Sequence, residues 1–255
     1  MTSFRDSLSA RARLVFPLDE ARLGLARASA EQVGPSVGVL KVGLELFTRE
    51  GPAALAIGQE LGLPVFLDLK LHDIPQTVEN AVRSASSLGV RYLTVHAAGG
   101  FEMLERAAKA AELGSKTGGE PMIVLAVTLL TSLDAGDLEA QGIAEPALDH
   151  VLRLGALAWK AGIRGFVASA AEAPALRKML GEDALLVTPG IRPQNASAMD
   201  QKRVATPAQA IAGGADLLVV GRPIKNAPDP LSAAQSLVNE IEQALLSQGI
   251  PRERN

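Results

Sequence analysis

The stretch Pro64-Val65-Phe66-Leu67-Asp68-Leu69-Lys70-Leu71-His72-Asp73-Ile74-Pro75-Gln76-Thr77 opens as an apolar run and closes in charges and a proline. Residues 64–70 read as a strand. Val78, Ala81, Val82, Ala85 and Leu88 then share one face at helical spacing, and Gly89 can supply the left-handed stop. A second apolar run at 92–97 follows at once. A strand, a helix and a strand in quick succession imply parallel pairing through a right-handed crossover. Because side chains alternate along a strand, Phe66, Asp68 and Lys70 are expected to face one way, with Leu67 and Leu69 facing the helical layer.

The same unit repeats outward in both directions. Apolar runs at 14–19, 37–43, 64–70, 92–97, 122–128, 165–169, 185–190 and 217–221 make eight strands. Eight strand–helix units are the number that closes a single (β/α)8 TIM barrel, here one α/β domain over residues 1–255. An open doubly wound sheet is the alternative, but its Gly-x-Gly-x-x-Gly turn is missing after the first strand, where Glu20-Ala21-Arg22 follows Asp19. The last helix is the plainest: Asp229 caps it, Pro230 suits its first turn, and Leu231, Ala234, Leu237, Val238, Ile241 and Leu245 form a buried stripe. Two connections are long enough to act as lids, 131–146 after strand five and 192–206 after strand seven.

Composition agrees. Apolar residues are 47% of the 255 and charged ones 21%, enough for a large core, and aromatics at 3% leave that core to aliphatic side chains, which suit parallel strands. The net charge of −3 with no long basic run argues against nucleic acid as a partner. The absence of cysteine excludes disulfides, thiolate catalysis and Cys-bound metal, and fits a reducing compartment. Residues 1–13 lack the apolar centre of a secretory signal, and no apolar run approaches the ~18 residues of a membrane span, so a soluble cytoplasmic protein is expected.

In a barrel, catalytic groups belong at the C-terminal ends of strands. Asp68 and Lys70 enter that mouth together, and for an Asp-x-Lys pair alone a structural salt bridge is an equal explanation. Asp19, Lys41, His96 and Thr128 share the same end, and burying so many polar groups is costly unless they are paired. A lysine held between carboxylates keeps its ammonium form and can act as an acid, while a neighbouring carboxylate opposes any anionic group brought beside it. Such a pair suits expulsion of carbon dioxide and protonation of the carbon left behind. Thr188-Pro189-Gly190-Ile191-Arg192 and Gly221-Arg222-Pro223-Ile224 end strands seven and eight, where barrels commonly grip phosphate with backbone N–H groups and a cation. For a Gly-Arg pair alone an ordinary surface turn is the more frequent explanation, but two such elements on adjacent strands favour phosphate.

The segment from Asp68 to Thr77 resembles the signature of the orotidine 5′-phosphate decarboxylase family in its bacterial form. The likeness continues, in the family's order, through Leu18-Asp19, Lys41-Val42-Gly43, Thr94-Val95-His96-Ala97, Leu130-Thr131-Ser132, Thr188 to Arg192 and Val220 to Ile224. Pro17 stands where family members often carry alanine. The resemblance implies decarboxylation of orotidine 5′-phosphate, a small-molecule substrate, with no metal and no cofactor. It implies that Lys70 protonates the pyrimidine carbon, that Asp68 lies near the departing carboxylate, and that Lys41 and Asp73 complete an alternating Lys-Asp-Lys-Asp network. Asp19 and Thr77 would bind the ribose, Thr131 the pyrimidine, and Gln201, Gly221, Arg222 and Arg192 the phosphate. It further implies a homodimer in which Asp73 and Thr77 reach across to the partner's site. His96 stays outside the catalytic set, since a histidine at a strand end is as often structural.

Two rival readings share the residues. A magnesium-dependent sugar-phosphate decarboxylase or aldolase would resemble this chain at Asp-x-Lys-x-x-Asp, but Lys41 stands where those enzymes carry an acidic ligand and would repel Mg²⁺. A catalytically silent nucleotide-binding barrel is the other, and the filled charged network argues against it.

Overall fold

The computed structural model describes residues 8–114, 121–193 and 205–249. Eight strands appear in chain order: β1 (Leu14–Pro17), β2 (Val39–Gly43), β3 (Val65–Leu71), β4 (Tyr92–His96), β5 (Ile123–Val127), β6 (Gly165–Val167), β7 (Leu185–Thr188) and β8 (Leu217–Val219). Each pairs in parallel with the next and β8 returns to β1, so the sheet is a closed barrel. The expected (β/α)8 architecture therefore holds. Most strands are shorter than their apolar runs. β7 stops where Pro189 removes a ladder donor, and after Pro17 and Val219 the chain turns toward the loops that build the site.

Helices cover the barrel between strands: α1 (Leu23–Val33), α2 (Leu44–Glu50), α3 (Ala53–Glu60), α4 (Pro75–Ser87), α5 (Phe101–Gly114), α6 (Ala135–Ala140), α7 (Ala147–Lys160), α8 (Ala173–Leu180), α9 (Pro207–Ala212), α10 (Arg222–Lys225) and α11 (Pro230–Ser247). In α4 the buried face is Val78, Val82 and Ala85, and Gly89 takes φ +72° just beyond it. In α11 the Asp229 carboxylate accepts from the Ser232 N–H at 3.1 Å, and Ala234, Leu237, Ile241 and Leu245 are buried. Leu231 departs from the expected stripe: it lies in the first turn and is 39% exposed. The connection 131–146 is also more ordered than a bare loop. It carries α6, whose start is fixed by reciprocal bonds between Asp134 and Asp137.

Two hydrophobic layers result. Val15, Val39, Phe66, Tyr92, Leu125, Leu185, Val187 and Leu217 fill the barrel interior, and a larger aliphatic shell lies between sheet and helices. Full burial of each such side chain contributes about 1.5–3 kcal/mol. The floor of the barrel is different. Arg13 and Asp216, each directly before a strand, are both 0% exposed, with Arg13 Nη1 3.8 Å from the Asp216 carboxylate and 3.3 Å from its carbonyl oxygen. Arg177 donates to the same carboxylate at 2.6 Å and also to the carbonyls of Gly181, Ala184 and Gly214. With its interior filled and its floor sealed by these charges, the barrel leaves only the opposite mouth open for a ligand.

Candidate active site

The open mouth is built around β3. On the β4 side its register runs from Leu67 opposite Leu93 to Leu71 opposite Val95, so Asp68, Leu69 and Lys70 bulge against the single residue Thr94. Lys70 has φ +50°, the only positive value among non-glycine residues described. A lysine gains nothing by itself from that left-handed backbone, which points to a conformation imposed by the surroundings. Alternation was expected to bring Phe66, Asp68 and Lys70 to one side. All three do line one cavity, but Lys70 arrives there through the bulge rather than through a regular strand.

The bulge concentrates charge. Lys70 Nζ lies 2.9 Å from both Asp68 oxygens, and Lys41 Nζ lies 3.6 Å from Asp68 and 3.6 Å from Asp19. Thr94 donates from its hydroxyl to Asp68 at 2.9 Å. Burial alone would push the Asp68 carboxyl up, but Lys41, Lys70 and the bonds from Lys70 and Thr94 together outweigh it and hold the pKa below the usual 3.8. The group is therefore a carboxylate throughout the neutral range.

Lys41, Asp68 and Lys70 form the wall between two compartments, each of about 170 Å³. One is lined by Phe66, Val127, Leu129, Thr131, Val167, Val187 and Val219, a largely apolar slot. The other is lined by Asp19, Gly43 and Glu45 and is polar. Asp19, beyond the end of β1, keeps a side chain 63% exposed, so its second oxygen is available to a ligand hydroxyl.

At the ends of β7 and β8, Arg192 and Arg222 approach each other. Burial first, and the Arg222 charge second, lower the Arg192 pKa from its ordinary value. Two like charges close enough to act on each other favour an anion between them. Gly221 is required there: a Cβ on it would meet Pro17 Cγ at 2.8 Å. Gln201 lies outside the described residues, as does most of the proposed lid at 192–206.

Asp73 and Thr77 are not brought to this cluster. Both are exposed on the segment entering α4, where Asp73 accepts from the Ile74 N–H at 2.6 Å. Two other polar residues at strand ends prove to be local. Thr128 donates to the Val167 carbonyl of the neighbouring strand, and His96 accepts from the Ala98 N–H and stacks on His72 at 5.3 Å. Sequence reading also passed over Lys225, which donates to the Asp19 carbonyl at 2.6 Å and pairs with Glu20 at 2.9 Å, tying α10 to the end of β1. Its only sequence signal is a cation one turn after Gly221.

Known proteins resemble this chain over most of its length. The family model described as "Orotidine 5'-phosphate decarboxylase / HUMPS family" matches residues 12–237. The chain is 52% identical over 225 residues to orotidine 5′-phosphate decarboxylase of Anaeromyxobacter sp. (strain K), covering 88% of this chain and 96% of that protein. To the Geobacter sulfurreducens protein of the same name it is 48% identical over 232 residues, covering 91% and 97%. The crystal structure of orotidine 5′-phosphate decarboxylase from Lactobacillus acidophilus superposes with a TM-score of 0.80 at 35% identity, covering 89% of this chain and 98% of that one. A match running from before β1 into α11, and relatives covered almost end to end, leave one conclusion: the chain belongs to the orotidine 5′-phosphate decarboxylase / HUMPS family.

Proposed function

We propose that this chain decarboxylates orotidine 5′-phosphate to uridine 5′-phosphate and carbon dioxide, the last step of de novo pyrimidine synthesis, as one barrel domain working without metal or cofactor. The observation that carries this reading is the Lys41–Asp68–Lys70 cluster standing between an apolar slot and a polar pocket. Set the pyrimidine in the slot beside Thr131, the ribose against Asp19, and the phosphate between Arg192 and Arg222 with the Gly221 backbone and Gln201. The scissile carboxylate then falls near Asp68 and C6 near the Lys70 ammonium.

The bond from C6 to the carboxyl carbon breaks, its electron pair stays on C6, and carbon dioxide leaves. Lys70 Nζ–H delivers the proton to C6 and the amine regains one from solvent. No neighbouring carbonyl can absorb the charge on C6, so stabilisation must be electrostatic, and an ammonium already fixed by Asp68 acts without reorganising. Binding energy at the phosphate, remote from the breaking bond, contributes if it orders the loop after β7. A divalent cation would compete with two ammonium groups for Asp68, which disfavours the magnesium reading.

Asp73 and Thr77 act in the partner's site of a homodimer in this reading. Ile74, set between them, is 67% exposed, and Leu44 and Phe101 at the same rim are also uncovered, which is the surface a second copy would bury. No helix among the described residues is long and apolar enough to cross a membrane, and we place the enzyme in the cytoplasm. The test is the loss of orotidine 5′-phosphate absorbance with purified protein and excess chelator. Chelator-resistant loss is expected. A strict magnesium requirement would replace the reading with the sugar-phosphate one, and tight uridine 5′-phosphate binding without turnover would leave a silent barrel.

A further inference from the structure

Thr94 is 0% exposed and cannot touch a ligand, yet its hydroxyl holds two pieces of the cluster at once. It accepts from the Lys70 N–H at 2.9 Å and donates to Asp68 Oδ1 at 2.9 Å. The directions are unambiguous, because a backbone N–H only donates, a carboxylate only accepts, and a hydroxyl does one of each. These are the two residues flanking the centre of the bulge, and one of them has the lone left-handed non-glycine backbone described. Without a partner in the ladder, the Lys70 N–H would be unsatisfied, and the strained conformation would lose the bond that offsets its cost.

We infer that Thr94 is a positioning residue: its hydroxyl pins the Lys70 backbone and the Asp68 carboxylate in one geometry, so that ammonium and carboxylate face the ligand before it arrives. This rests on the decarboxylase reading of the site. Thr94 acts through its two neighbours and has no chemical step of its own. A small error in placing the proton donor matters far more for turnover than for binding, since substrate contacts elsewhere are unchanged.

The test compares variants that differ in the hydroxyl while matching in volume. Thr94→Val replaces the hydroxyl by a methyl. Thr94→Ser and Thr94→Cys both delete the methyl and differ only in offering a hydroxyl or a thiol, so they remain informative if the valine protein does not fold. Expected are a kcat lowered about 10- to 100-fold in Val and Cys, the scale of one charge-assisted hydrogen bond. KM should change less than threefold, and Ser should return kcat to within about threefold of the parent. Equal kcat for Ser and Cys would overturn the inference, as would a loss confined to KM. A second readout does not depend on turnover: side-chain NMR titration of Asp68, assigned with Asp68→Asn, should show its pKa raised in Val or Cys. If the parent protein does not turn over orotidine 5′-phosphate, the proposed function fails; an Asp68 titration identical in Thr, Ser and Cys proteins defeats the positioning role whatever the substrate.

Discussion

At the floor of the barrel Asp216 sits between Arg13 and Arg177; at the mouth Asp68 sits between Lys41 and Lys70. Each is a carboxylate with two cations: the floor takes Arg13 and Asp216 from just before β1 and β8 and Arg177 from α8, and the mouth takes its three residues from β2 and β3. The floor uses arginine, whose planar fork bonds fixed carbonyls of Leu8, Gly181, Ala184 and Gly214 as well as the carboxylate. The mouth uses lysine, a point charge on a flexible stem, and leaves the Lys70 side chain 32% exposed. The backbone is unstrained at the floor and left-handed at Lys70. The same charges thus build a buried seal bonded to fixed carbonyls at one end, and a partly exposed, reactive site at the other.

Four substitutions can break or sharpen this contrast. Lys70→Ala should lower kcat/KM at least ~10⁴-fold, the product of lower-end values for acid catalysis and fixed electrostatic stabilisation. Its melting temperature should stay within about 3 °C of the parent's, because only a partly exposed side chain is lost. Steady-state kinetics beside calorimetry checks both, and near-normal turnover would end the proposed mechanism. Asp216→Ala should do the reverse, destabilising by about 3–5 kcal/mol in urea unfolding because Arg13 and Arg177 are left buried without their carboxylate, while kcat measured well below the transition is unchanged. A midpoint equal to the parent's would show that the floor cluster is not a seal.

Arg222→Ala removes a charge-assisted phosphate contact of ~1.5–3 kcal/mol and should mainly raise KM. A fall in kcat as large as the rise in KM would mean the arginine acts at the reacting centre too. The smallest effect concerns His96, whose pKa is lowered from 6.5 by burial first and by His72, Lys70 and His150 after it. The unfolded histidine takes a proton near its ordinary value and the folded one only at lower pH, so in that window acid favours the unfolded chain. Stability should therefore decline as pH falls below about 6.5, and His96→Asn should flatten that slope in urea titrations at different pH.

Much of this was legible in the sequence, for a physical reason: strands buried on both faces must be apolar runs, and the barrel order follows from their number. Lys41, Asp68, Lys70 and Asp19 were found because charge at the end of an apolar run is conspicuous. The bulge was hidden, since lysine normally avoids positive φ and nothing near Lys70 signals a turn. Thr94 escaped because its role depends on register between β3 and β4. The floor pair was missed although Arg13 directly precedes Leu14 and Asp216 directly precedes Leu217, as partners 203 residues apart leave no local pattern.

That separation bears on how the molecule is made. The seam between β1 and β8 pairs only Leu14 with Leu218 and Val15 with Val219, and is bracketed by Arg13–Asp216 below and by Lys225 with Asp19 and Glu20 above. During synthesis the first strand must wait for the eighth to leave the ribosome, with one edge unpaired and an arginine without its carboxylate. Closure is then a late, long-range event, and the nascent chain spends most of its translation as an open sheet exposed to self-association.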